Sequence, residues 1–141
     1  MMGAFHGLPA IASSLGSPGA AFDYPARFVA TFIEEMKQRP SMPGVVLSIN
    51  IPRATEAEIA GVAVEKMGGT YLRFAYEESQ AEPEHRTFRP RIGLETHAPA
   101  GTDTDAFLRD MITITPLLFD WTAYPALDEL KGWSLSHVVT R

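Results

Sequence analysis

Asp103 and Asp105, two carboxylates flanking Thr104, form the one spacing in this 141-residue chain that invites a metal ion. Paired carboxylate oxygens can share a hard cation such as magnesium. The same residues also suit a solvated turn in which Asp103 caps the backbone running on through Phe107. Side chains at i and i+2 share a face in any extended segment, so the spacing alone does not choose between the two. His6, His85, His97 and His137 never lie three or four residues apart, so no helix can bring two imidazoles to one metal and surface positions are expected for all of them. Ser13-Ser14 lacks the G-x-S-x-G setting of a nucleophile elbow and reads as small residues at a strand end. Met67-Gly68-Gly69-Thr70 is glycine-rich but has neither the lysine nor the following helix of a phosphate cradle, so a bulge or turn is expected.

Composition narrows the function classes further. With 45% hydrophobic and 21% charged residues, the chain has the make-up of one folded domain. A net charge of -5 and a pI near 5.3 argue against a nucleic-acid polymer as partner, which would require a basic face. The absence of cysteine excludes disulfides, thiolate zinc sites and cysteine nucleophiles together, leaving oxygen or imidazole to hold any metal. No run approaches the roughly 18 apolar residues of a membrane span. The first twenty residues have no basic region and contain Pro9 and Pro18, so neither a membrane partner nor a secretory leader is expected, and a cytoplasmic location is.

The elements that must position these residues read as an α/β fold. LPAIASSL (8–15) and VVLSINI (45–51) are short apolar runs bounded by glycine and proline, the pattern of strands covered on both faces. Between them Phe28, Val29, Phe32, Ile33 and Met36 recur at helical spacing, predicting a helix over 25–38 that Asp23 caps and Pro40 stops. Strand, helix and strand with short connections make a βαβ unit. A brief helical turn is expected at 55–60, with half-exposed strands around Val62 and Val64 and over 70–76. The polar stretch 77–90 lacks apolar periodicity and reads as a hairpin tip or protruding arm, returning at 91–96. MITITPL (111–117) alternates like a strand, and a last helix is predicted over 124–133 with Leu127 and Leu130 inward. The aromatic residues Phe74, Tyr76, Phe88, Phe119, Trp121, Tyr124 and Trp133 outnumber what a small core needs, so either a subunit interface or core packing takes them.

The order of segments carries a resemblance that no single motif does. Leu8-Pro9-Ala10-Ile11-Ala12-Ser13-Ser14-Leu15, then Leu47-Ser48-Ile49-Asn50-Ile51-Pro52, then Thr102-Asp103, then Ile112-Thr113-Ile114-Thr115-Pro116-Leu117 with Trp121-Thr122-Ala123 after it, resembles the SurE family's G-[LF]-P-A-[LI]-A-x-S-L, L-N-[IV]-N-[VI]-P, T-D and [VI]-S-[IV]-T-P-L blocks. The resemblance implies a three-layer α/β fold and a metal-dependent 5'/3'-nucleotidase, a phosphohydrolase of nucleoside monophosphates that uses magnesium or manganese. It covers only the C-terminal half of such a protein. The family's N-D-D-G strand and S-G-T-V stretch are not present, and the chain has no Asp-Asp pair. The expectation is therefore a SurE-like domain over 1–141, truncated at its N-terminus. Within it, 1–66 holds the βαβ part of the core, 67–100 the hairpin arm and 101–141 the final strand and helix.

For the site, the resemblance ranks Thr102 and Asp103 as substrate-adjacent and implies no catalytic residue and no metal ligand on this chain, so no cofactor is expected for it alone. It also implies a homo-oligomer assembled through the arm and the C-terminal helix. Three functions compete: a partial nucleotidase inactive by itself, a non-catalytic oligomerisation or interaction module, and an unrelated enzyme using Asp103 and Asp105 on a metal.

Overall fold

The computed structural model describes residues 2–16, 21–69, 72–81, 85–120 and 122–134. In chain order these form α1 (Met2–Phe5), β1 (Ala10–Leu15), α2 (Asp23–Lys37), β2 (Val46–Ile51), β3 (Gly61–Val64), β4 (Leu72–Ala81), β5 (Arg86–Leu94), α3 (Asp103–Leu108), β6 (Met111–Leu117) and α4 (Tyr124–Lys131). The expected α/β architecture is observed: a βαβ unit, then a two-stranded arm, then a last strand and a C-terminal helix. A four-stranded sheet has the order β1-β2-β6-β3, with β1 parallel to β2, β2 antiparallel to β6, and β6 parallel to β3.

The two faces of this sheet differ chemically because its inner strands alternate residue by residue. Leu47, Ile49 and Ile51 of β2 and Ile112 and Ile114 of β6 form the buried core, onto which α2 packs Tyr24, Phe28, Val29, Phe32 and Met36. Helical spacing puts those side chains on one stripe of α2, and burying the stripe removes apolar surface from water. On the opposite face stand Ser48 and Asn50, paired in register with Thr115 and Thr113. Among the described residues, α3 packs on β6 and β3 and buries Thr104 and Ala106.

Several expectations need correction. The strands at 8–15 and 45–51 are not covered on both faces: β1 is an edge strand with Ala12, Ser13 and Ser14 exposed, and β2 turns Ser48 and Asn50 toward a half-open polar side. Asp23 does not cap α2. Phe22 stands at the N-cap without a side-chain hydrogen bond, and Asp23 sits in the first turn, where its charge complements the helix dipole. The last helix ends at Lys131, and Leu127 and Leu130 remain 37% and 45% exposed, so neither is a buried, inward residue.

The arm extends further as strand than its polar composition suggests. β4 and β5 pair only with each other, and Leu72↔Leu94, Phe74↔Ile92 and Tyr76↔Pro90 put apolar side chains on one face. Cross-strand ion pairs Arg73–Glu95, Arg91–Glu77 and Arg86–Glu78 link the two strands at exposed positions, each contributing little. Phe74, Tyr76, Ile92 and Leu94 are all exposed.

Candidate functional site

At the carboxyl end of the parallel pair, the pleat aligns three polar residues from strands far apart in sequence. Ser14 of β1 pairs in register with Asn50 of β2, which pairs in register with Thr113 of β6. Ser14 Oγ donates to Asn50 Oδ1 at 2.6 Å. Thr113 is fully buried, and its Oγ1 has no hydrogen-bond partner. This row borders a cavity of about 630 Å³, whose apolar walls include Phe22, Met67, Leu72 and Phe107. The carboxyl end of parallel strands is where open α/β sheets bind ligands.

Asp103 and Thr104 form another wall of the cavity. Asp103 Oδ1 accepts from the backbone N–H of Gly68 at 2.9 Å and of Thr104 at 2.7 Å, and its Oδ2 accepts from Thr115 Oγ1 at 3.3 Å. Thr104 Oγ1 in turn donates to the Gly68 carbonyl. A Cβ on Gly68 would fall 2.3 Å from Thr102 Cγ2, so glycine is required for this close approach, whereas Gly69 turns the chain at φ +63°. Met67 and Gly68 are irregular and Gly69 lies at a bend, while Thr70, the last residue of the expected bulge or turn, is outside the described residues. Thr102 lies behind this wall, only 3% exposed. It is the N-cap of α3, its Oγ1 accepting from Asp105 N at 3.3 Å and donating to the Pro99 carbonyl at 2.6 Å. Asp103 borders the cavity and Thr102 does not.

The structure gives Asp103 and Asp105 separate tasks. Asp105 pairs with Arg109 at 2.9 Å along α3, while both Asp103 oxygens accept the bonds just described. Among the described residues no three His, Cys, Asp or Glu side chains converge as a metal site, and Asp103 is the only ionised residue bordering the cavity. One carboxylate already accepting hydrogen bonds, with neutral hydroxyls and a carboxamide around it, does not fit a resident divalent cation. The histidines do not join it: His6 lies edge-on to Phe5, His85 is exposed, His97 bonds to Thr96, and His137 is outside the described residues, as is Trp121.

A larger groove of about 1020 Å³ lies along the open side of β1, floored by Leu8, Ile11, Phe32, Met36 and Val45. Its bordering Glu35 and Arg39 pair with each other, so it presents apolar surface without converging polar groups. The chemistry-bearing groups therefore belong to the smaller cavity. Ser14, Asn50 and Thr113 carry no recognisable motif. The signal that reveals them is the alternation of Ser48 and Asn50 with Ile49 and Ile51, and of Thr113 and Thr115 with Ile112 and Ile114.

Fold and cavity together define an α/β protein with a polar-edged cavity at the carboxyl end of a parallel strand pair. The sequence model described as "Survival protein SurE" matches residues 1–73, and the chain belongs to the SurE family. It is 34% identical over 145 residues to "5'-nucleotidase SurE" of Coxiella burnetii (strain RSA 331 / Henzerling II), covering 94% of this chain and 52% of that protein. With "5'-nucleotidase SurE" of Synechococcus elongatus (strain ATCC 33912 / PCC 7942 / FACHB-805) it shares 33% identity over 142 residues, covering 95% of this chain and 55% of that one. The crystal structure of a SurE protein from Aquifex aeolicus superposes with a TM-score of 0.73 at 26% identity, covering 91% of this chain and 52% of that chain. The chain spans about half the length of the curated relatives it matches.

Proposed function

We propose that this chain supplies the substrate-side part of a SurE-type 5'/3'-nucleotidase, a phosphohydrolase of nucleoside monophosphates, and that it is inactive by itself. The observation carrying this reading is the cavity at the carboxyl end of β1 and β2, bordered by Ser14, Asn50, Asp103 and Thr113. Asp103 is the substrate-adjacent residue, holding the Gly68 turn in place, and Thr102 fixes Asp103 by capping α3. Magnesium or manganese dependence follows from the family resemblance. The donor set on this chain does not suit such an ion, whose ligands would come from other groups of a SurE-type enzyme.

The apolar face of the arm favours a homo-oligomer joined through β4 and β5 together with α4, whose Leu127 and Leu130 are likewise uncovered. The same faces support the second reading, a non-catalytic interaction module. No helix among the described residues is long and apolar enough to cross a membrane; a cytoplasmic location is proposed from the family resemblance alone.

Phosphate release from 5'- and 3'-nucleoside monophosphates, with magnesium or manganese and a chelator control, tests the function. The chain alone is expected to give no turnover. A chimera placing it after the N-terminal half of the Coxiella burnetii relative is expected to give chelator-sensitive release. Turnover by the chain alone would refute its inactivity, and an inert, folded chimera would favour the interaction module.

A further inference from the structure

The cavity's unmet hydrogen-bonding groups identify which part of a substrate it holds. Thr113 Oγ1 is buried with no partner, which is costly unless something supplies one. Ser14 engages one half of the neighbouring Asn50 carboxamide, and no described residue bonds the other half. Side by side across β2 and β6, these two residues offer hydrogen bonds to a ligand. Among the described residues that border the cavity, the only charge is the Asp103 carboxylate, there is no lysine or arginine, and the remaining walls are largely apolar. An anionic phosphoryl group would meet repulsion and no counter-charge. A neutral heterocycle with a sugar would meet apolar contact for its faces and hydrogen bonds for its edge, in a volume of about 630 Å³.

We infer that this cavity takes the neutral nucleoside portion of the substrate, with the phosphoryl group held outside it. The inference rests on the nucleotidase reading for the identity of the ligand, but it assigns the Asn50–Thr113 pair a recognition role that turnover does not require to be tested.

The test is binding of adenosine, guanosine, cytidine and uridine to the 141-residue chain by saturation-transfer NMR, with cooperative melting as the folding control. At least one nucleoside is expected to bind saturably and not to be displaced by excess inorganic phosphate. Thr113→Val, nearly isosteric but without the hydroxyl, is expected to weaken binding about tenfold, and Thr113→Ser to retain it. Asn50→Asp, at a half-buried position, is expected to weaken it at least as much. Displacement by phosphate, no nucleoside binding to a cooperatively melting chain, or undiminished binding by both Thr113→Val and Asn50→Asp would overturn the inference. Nucleoside binding with an inert chimera leaves the inference standing and removes the nucleotidase reading; an active chimera without nucleoside binding does the reverse.

Discussion

Asp103 Oδ1 accepts the backbone N–H of Gly68 at 2.9 Å, joining residues 35 apart in the sequence where the chain leaves the sheet for the arm and where it returns. Beside this bond, Lys66 bridges to Thr102, and Asp103 N donates to the Lys66 carbonyl at 3.0 Å. Asp103 is thus a fastening at the foot of the arm as well as a wall of the cavity. Asp103→Ala leaves the Gly68 and Thr104 amides and the Thr115 hydroxyl without this acceptor, and is expected to lower stability by about 1–3 kcal/mol in urea unfolding. Asp103→Asn keeps one oxygen for the amides and presents an N–H that the Thr115 hydroxyl can accept, so its loss should be clearly smaller.

Gly68→Ala is expected to be more damaging than its size suggests. The new methyl would meet Thr102 Cγ2 at 2.3 Å and Thr102 Cβ at 2.5 Å, so the turn or the cap of α3 must move. A loss of roughly 1–3 kcal/mol is expected for overpacking of this kind, with altered amide shifts at both Gly69 and Asp105 in the NMR spectrum. Gly93→Ala, whose added Cβ would meet Arg73 Cβ only at 4.0 Å, is the control and should leave both signals in place.

The arm should weaken in acid before the sheet does. Arg73 donates two hydrogen bonds to Glu95, at 2.8 and 2.9 Å, and holds its carboxyl below the usual value; Arg86 does the same to Glu78. Because these folded-state values are depressed, their contribution is complete above the unfolded value of about 4.3 and disappears as pH falls through the folded one. Hydrogen-exchange protection in β4 and β5 is expected to decline below about pH 4 while that of β2 and β6 persists. Both pairs are solvent-exposed, so the effect is small and salt-sensitive. Glu95→Gln should reduce it.

Covering the arm's apolar face is expected to drive self-association. Phe74 and Ile92 are paired across the arm and 57% and 63% exposed. Light scattering should give a mass above that of the 15.5 kDa chain. Replacing Phe74→Asp together with Ile92→Lys should return it toward the monomer without changing the melting of the sheet. A monomeric parent chain would refute assembly through the arm.

What the sequence makes legible is set by how local each cause is. The β6 strand follows its predicted range because strict alternation leaves no competing periodicity, and α2 departs only at its ends because capping depends on single backbone angles. The same alternation hides its other meaning: serine, asparagine and threonine between aliphatics read as strand formers until the strands are placed in register. Ser14, Asn50 and Thr113 become neighbours only through two separate ladders, which no window of sequence contains. Asp103 stands out as a carboxylate, but its donors come from a turn before the arm. α4 is amphipathic in the expected way, yet none of its residues is buried.

The position of β6 between β2 and β3 has one more consequence. A protease that cuts between β4 and β5 would leave β1, β2 and β3 on one fragment and β6 on the other. The second fragment would remain threaded through the middle of the first, hydrogen-bonded on both sides. The nicked protein should run as two bands under denaturing conditions and as one species under native conditions, so the arm can be severed while the two pieces continue to share a single sheet.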